Sequence, residues 1–353
     1  MMTELSQIIS QIEPLDPAWL GRAQQRLDSL TKPRGSLGRL EELAALYVAI
    51  RRELLPPLDN KRVVVFAADH GVVAEGVSAY PQEVTHQMVL NFLGGGAGIN
   101  ALARHAGAKV VVVDIGVNHD FGHVPELMVR KVAYGSRNMA QEPALTREEA
   151  LQALLVGVEM AEEATAAGVD ALAAGDMGIG NTTPAAALAS VFTGRPVAAV
   201  TGRGTGIEEE VWRHKVAVIN RALALHQPSP EDPVGALAAV GGLEIAGIAG
   251  LILGTAAARR PLLLDGFIAT AGALVAAALA PAATDYLIAA HRSVEPGHQL
   301  MLDSLGLKPL LNLNMRLGEG TGAALGLTLL EAGVKIYREM ATFGEAGVAD
   351  KEA

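Results

Sequence analysis

Between Arg62 and His291, six short apolar runs alternate with Ala- and Leu-rich segments of helical character: RVVVFAAD, KVVVVDIG, ALAAGD, PVAAVTG, RPLLLDG and ATDYLIAAH. The runs are apolar almost throughout, which suits strands covered on both faces, and the intervening segments suit crossover helices between parallel strands. The pattern predicts an α/β fold, a doubly wound, mostly parallel sheet of about six strands, over residues 62–300. Outside that core, Leu5 to Glu53 reads as helical, interrupted by LTKPRGSLGRL, and Gly322 to Met340 reads as one long helix. Residues 1–61 and 301–353 are therefore expected to form a smaller helical domain, built from both chain ends and packed against the mouth of the site. The tail GEAGVADKEA is expected to be frayed.

Charge narrows the partners. With 28 Lys+Arg against 38 Asp+Glu the net charge is −10, which disfavours a nucleic-acid backbone or an anionic membrane as partner, so any anionic ligand needs a local site. The absence of cysteine excludes disulfides, thiolate metal sites and thiol redox chemistry. The N-terminal stretch lacks the basic and apolar regions of a signal peptide, and Leu243 to Ala258 and Phe267 to Ala280 are glycine-broken runs expected to be buried helices without a membrane span. A cytoplasmic protein is expected.

In an open parallel sheet, ligands sit beyond the carboxyl ends of the strands. Four strand-to-helix loops carry reactive residues: ADHGVVAEGVSAYPQ, GDMGIGNTTP, TGRGTG and HRSVEPGH; LGEGTG comes later and is expected to close over the same mouth. GDMGIGNTTP places Gly178, Gly180, Asn181, Thr182 and Thr183 ahead of a helix, where free amides and hydroxyls make an anion cradle suited to one phosphate. Ordinary capping by Asn or Thr is the competing explanation. No Lys follows the glycines and G-x-G-x-x-G is not matched, which disfavours a nucleoside triphosphate or a dinucleotide cofactor.

TGRGTG and LGEGTG share the pattern G-x-G-T-G, with Arg203 in one and Glu319 in the other, while Lys215 and Arg316 add positive charge nearby. Tyr80, Gln87, Met88 and Phe92 suggest a flat apolar slot with a polar edge, although helix packing explains Met88 and Phe92 better. His119 and His123 are four apart but lack the H-E-x-x-H arrangement, so no metal site is expected. Asp69 and His70 read either as an acid/base pair or as a strand-end Asp bonded to loop amides. Glu319 poses the sharpest choice, between a reagent and a carboxylate favoured only by the dipole of the helix that follows it.

TKPRGSLGRLE, ADHGVVAEGVSAYPQEVT, GGGAGINALA, GDMGIGNTTPAAAL, TGRGTG, LLLDGFI, HRSVEPGH and MRLGEGTGAAL resemble, in that order, segments of the nicotinate-nucleotide:dimethylbenzimidazole phosphoribosyltransferases. The resemblance runs from about Thr31 to the last long helix. It implies transfer of a 5-phosphoribosyl group from nicotinate mononucleotide to 5,6-dimethylbenzimidazole, a step in assembling the lower-ligand loop of cobalamin. It also implies a cytoplasmic homodimer that needs no metal or redox cofactor. By the same resemblance Glu319 matches the general base. Asp176, Gly178, Ile179, Gly180, Asn181, Thr182, Arg203, Gly204, Thr205, Gly206, Lys215, Ser293 and Arg316 look like the nucleotide site, and Ser78, Tyr80, Gln87 and Leu317 like the benzimidazole pocket. Family members are expected to carry Glu where this chain has Asp176, so the shorter side chain is assigned to ordering the phosphate loop.

One carboxylate suffices for this chemistry. The leaving ring is a pyridinium, so bond cleavage releases a neutral nitrogen and needs no general acid, unlike a glycoside oxygen. The proton that must move lies on the incoming base, within the competence of a carboxylate at hydrogen-bond distance. A sensor that keeps the cradle without turnover, and a nucleotide hydrolase in which Glu319 activates water, are the alternatives.

Overall fold

The structure is a computed structural model and describes residues 1–204 and 206–349. Six strands form one sheet: β1 (Lys61–Ala68), β2 (Ala108–Gly116), β3 (Leu127–Val129), β4 (Ala171–Met177), β5 (Leu262–Leu264) and β6 (Leu287–Ala289). Their spatial order is β3-β2-β1-β4-β5-β6 and every pairing is parallel. This is the doubly wound order, in which the connections leave β1 and β4 in opposite directions and open a crevice beyond their carboxyl ends.

The strands obey a period of two despite being apolar on both sides. Val64, Phe66, Ala68, Leu172 and Ala174 face one core, with helices Arg147–Ala166, Leu243–Ala257 and Phe267–Leu279. Val63, Val65, Ala67, Ala171 and Ala173 face the other, with helices Val84–Leu93, Gly98–Ala106 and Thr321–Glu339. The two glycine-broken runs are buried helices, as expected, and glycine serves close packing: a Cβ on Gly250 would lie 1.8 Å from the Leu154 carbonyl oxygen, and one on Gly157 1.9 Å from that of Gly247. Helices Pro17–Ser29 and Arg39–Arg51 share a third apolar cluster with Tyr337 of the long C-terminal helix, Thr321–Glu339, which the single turn Phe343–Ala346 follows, whereas Leu5 of helix Met2–Ser10 packs into the first core.

PVAAVTG departs from the expectation. Val197–Val200 forms a single helical turn, and the Thr201 hydroxyl donates back to the Val197 carbonyl at 2.7 Å. Pro196 fixes the entry and lacks an amide for a sheet ladder, and the two alanines favour helix. The sixth strand is instead β3, a three-residue edge strand that the apolar runs did not reveal. Among the described residues no helix is long and apolar enough to cross a membrane.

Candidate active site

The loops after β1 and β4 meet in the crevice that the strand order creates. Gly178, Gly180, Asn181 and Thr182 line one small cavity with Ser78, Ile179, Arg203, Gly204 and Lys215. Asn181, Thr182 and Gly204 also line a second cavity of about 90 Å³, which Asp176, Ser293, Arg316 and Leu317 complete together with His291 and Glu295. Most of the expected nucleotide residues therefore converge. Gly206 lies at the edge, about 3.9 Å from the Arg316 guanidinium by the position of its would-be Cβ, and Thr205 lies outside the described residues.

The loop Gly178 to Thr182 is held from below. Gly180, at φ +87°, adopts a conformation that side chains resist, and a Cβ there would strike Val73. The Ile179 amide donates to the Thr85 hydroxyl at 3.1 Å, and the Asn181 side chain donates to Asp176 at 2.9 Å. Lys215 is buried and its Nζ donates to Thr182 Oγ1 at 2.6 Å. Burial lowers its pKa to about 8 against a partial opposing pull from Glu295. Arg203 is committed elsewhere, donating to the Ile207 carbonyl and pairing with Glu209.

Acidic groups crowd the opposite wall. Burial, with Asp265 and Glu244 as negative neighbours, lifts the Asp176 carboxyl well above its ordinary value. Burial also raises Glu295, which Lys215 partly counters. Glu319 is buried, and its Oε2 accepts from the Ile99 amide at 3.0 Å. Burial raises its pKa, the Ile99 amide lowers it, and Asp265 raises it again. Here the helix-dipole explanation requires correction. The first amides of helix Thr321–Glu339 are taken by Asp265, not Glu319, and the Glu319 carboxylate instead faces the N-terminus of helix Gly98–Ala106. Asp265 had no part in the expected site. Its signal, an acid at the end of an apolar run in LLLDG, is too common to reveal partners more than fifty residues away.

The expected base pocket lies at the rim. Ser78 is half-buried while Tyr80, Gln87 and Leu317 are exposed. Leu317 and Glu319 approach the same point, since a Cβ on Gly98 would lie 2.9 Å from Leu317 Cδ2 and 3.3 Å from Glu319 Oε2. Phe92 and Met88 belong to the sheet-covering core, in line with helix packing. Asp69 accepts from the Asn118 amide at 2.8 Å while His70 turns to Glu244 at 2.9 Å, so the two neighbours do not pair. His119 stacks on His86 with ring centroids 4.4 Å apart, and among the described residues no three His, Asp or Glu side chains converge on a metal position.

A doubly wound sheet with a glycine-rich loop and buried carboxylates at its crevice has the layout of an enzyme acting on a small molecule, and a family model described as phosphoribosyltransferase matches residues 12–348. The nicotinate-nucleotide–dimethylbenzimidazole phosphoribosyltransferase of Geobacter sulfurreducens is 61% identical over 349 residues, covering 99% of each chain. That of Chloroflexus aggregans is 58% identical over 351 residues, again with 99% of each chain covered. Among solved structures, CobT from Thermus thermophilus superposes with a TM-score of 0.91 at 53% identity, covering 95% of this chain and 100% of that one. The chain belongs to the nicotinate-nucleotide:dimethylbenzimidazole phosphoribosyltransferase family.

Proposed function

We propose that this chain transfers the 5-phosphoribosyl group of nicotinate mononucleotide to 5,6-dimethylbenzimidazole, giving α-ribazole 5'-phosphate and nicotinate. The observation that carries the reading is the buried Glu319 carboxylate, anchored by the Ile99 amide beside a cavity that shares Asn181 and Thr182 with the glycine cradle. The 5'-phosphate is assigned to the loops Gly178 to Thr182 and Gly204 to Gly206, with Lys215, Ser293 and Arg316 around it and with Arg203 once it leaves the Ile207 carbonyl and Glu209. Charge-assisted bonds of that kind orient one phosphate strongly even in an acidic protein. Ser78, Tyr80, Gln87 and Leu317 are assigned to the benzimidazole.

In the reaction, one benzimidazole nitrogen attacks C1' from the face opposite the pyridinium, which inverts the β-linkage to α. The C1'–N bond to nicotinate breaks and its electron pair stays on the ring nitrogen. Positive charge on the benzimidazole acidifies the N–H of its other nitrogen, and Glu319 accepts that proton. A carboxylate whose proton affinity is raised by burial is better matched to this task than a fully solvated one. No cofactor enters.

The enzyme is further proposed to be a cytoplasmic homodimer, with a small helical unit drawn from both chain ends around Tyr337 and an apolar rim at the mouth of the site. Exposed Tyr80, Val294, Leu313 and Leu317 support a covered rim there. Incubation with nicotinate mononucleotide and dimethylbenzimidazole, followed by product analysis, tests the function. α-Ribazole 5'-phosphate and nicotinate should form in equal amounts, and neither should form without the benzimidazole. Release of nicotinate without an acceptor would favour a hydrolase, and binding without turnover a sensor.

A further inference from the structure

Two peptide planes flank the Cα of Glu319, and both are held. Its own amide donates to the Asp176 carbonyl at 3.3 Å, and the next amide, of Gly320, donates to Asp265 Oδ2 at 3.1 Å. Asp265 Oδ1 accepts from Gly322 at 2.7 Å and Ala323 at 3.1 Å, the first turn of helix Thr321–Glu339. The grip matters because the backbone here is unusual. Gly318, Glu319 and Gly320 have φ of +84°, +63° and +90°, and a residue with a side chain resists that region by about 1–2 kcal/mol. Gly175 leaves room for the turn, since a Cβ there would lie 2.4 Å from the Glu319 carbonyl oxygen.

We propose that Asp265 is a positioning residue for the transfer: by binding the Gly320 amide and the start of the C-terminal helix together, it holds the 318–320 turn so that Glu319 faces the incoming base. The inference rests on the assignment of Glu319 as the base. Asp265 is fully buried, and His291 Nε2, 3.4 Å away, is the only cationic-type side chain that an ion pair gives it among the described residues. Its three amide partners are what settle its carboxylate in place. An amide side chain substitutes only in part, because Asn keeps one acceptor oxygen but presents an N–H group where a second oxygen must accept from a backbone amide.

A double-mutant cycle tests this. Asp265→Asn should lower kcat on the order of 100-fold, the loss expected when a reacting group shifts by about 1 Å. The KM for nicotinate mononucleotide should move less, because the phosphate contacts other than Arg316 are assigned to other loops. When Glu319 is already Gln, adding Asp265→Asn should change kcat by no more than about twofold, the scatter within which independent changes add. If Asp265→Asn does not fold, Asp265→Ser, which keeps one capping oxygen, goes through the same cycle. An undiminished effect of the Asp265 variant in the Glu319→Gln background, or no effect on kcat in the native background, would overturn the inference. Near-normal turnover by the Glu319→Gln variant alone would remove the base assignment and this inference with it, a result distinct from additivity in the cycle.

Discussion

At the scale of single residues, the site sets groups of opposite sign into a space with little water, and their proton affinities diverge accordingly. Burial disfavours the charge on Lys215 and lowers its pKa to about 8. Affinity for nicotinate mononucleotide should therefore fall as pH rises through about 8, and the Lys215→Met variant should bind weakly with no such fall. Titration calorimetry between pH 6.5 and 9.5 reads both. Asp176 carries the opposite sign. A carboxyl whose folded pKa lies above its unfolded value contributes stability fully below the unfolded value and loses it as pH rises through the folded one. Asp176→Asn has no such proton to lose, so its melting temperature relative to the native chain should be higher at pH 8 than at pH 4. A constant difference would contradict a raised proton affinity for that buried carboxyl. Asp176 was visible in the sequence as an acid beside the glycine-rich loop, whereas Asp265 was not, because its hydrogen-bond donors are backbone amides supplied by a distant loop.

At the scale of elements, hydrophobic patterning revealed what burial enforces and missed what local chemistry decides. β1, β2, β4, β5 and β6 stand out because strands covered on both faces must be apolar throughout. β3 is three residues long with Val129 exposed, so it leaves no such trace. PVAAVTG has the same composition as a strand, yet Pro196 and two alanines turn it into helix. Within the Leu243–Ala257 helix, glycines that sequence alone showed only as interruptions are explained by close packing: Gly250 and Gly254 against helix Arg147–Ala166, Gly247 against Phe66 and Ile115 of the sheet. Gly250→Ala would set a methyl 1.8 Å from a backbone oxygen that no side-chain rotation can move. It should cost at least about 1–3 kcal/mol in urea unfolding. Gly21→Ala, in helix Pro17–Ser29 with nothing within 4 Å of the new methyl, should instead stabilise by roughly 0.5–1 kcal/mol. Equal effects at the two positions would contradict the close helix contact.

At the scale of the whole molecule, the strand order gathers segments scattered along the chain into one crevice: the cradle after β4, Lys215 on helix Glu209–His226, and Glu319 ahead of the C-terminal helix. That assembly implies a reaction carried by positioning and one base. Since the departing pyridine is neutral and leaves no charge for a cation to stabilise, chelators should leave turnover unchanged, and restoration of chelator-inhibited activity by a divalent ion would contradict this. The assembly also separates binding from proton transfer, because the groups assigned to phosphate, Arg316 apart, come from different elements than the carboxylate assigned to the base. The measurement that tests this most directly is single-turnover transfer by the Glu319→Gln variant, with folding and nicotinate mononucleotide binding measured on the same sample. Gln keeps the size and an acceptor oxygen but cannot take the proton, so transfer should slow by about 100- to 10,000-fold while binding and folding persist. A folded, nucleotide-binding variant that transfers at the native rate would contradict the account.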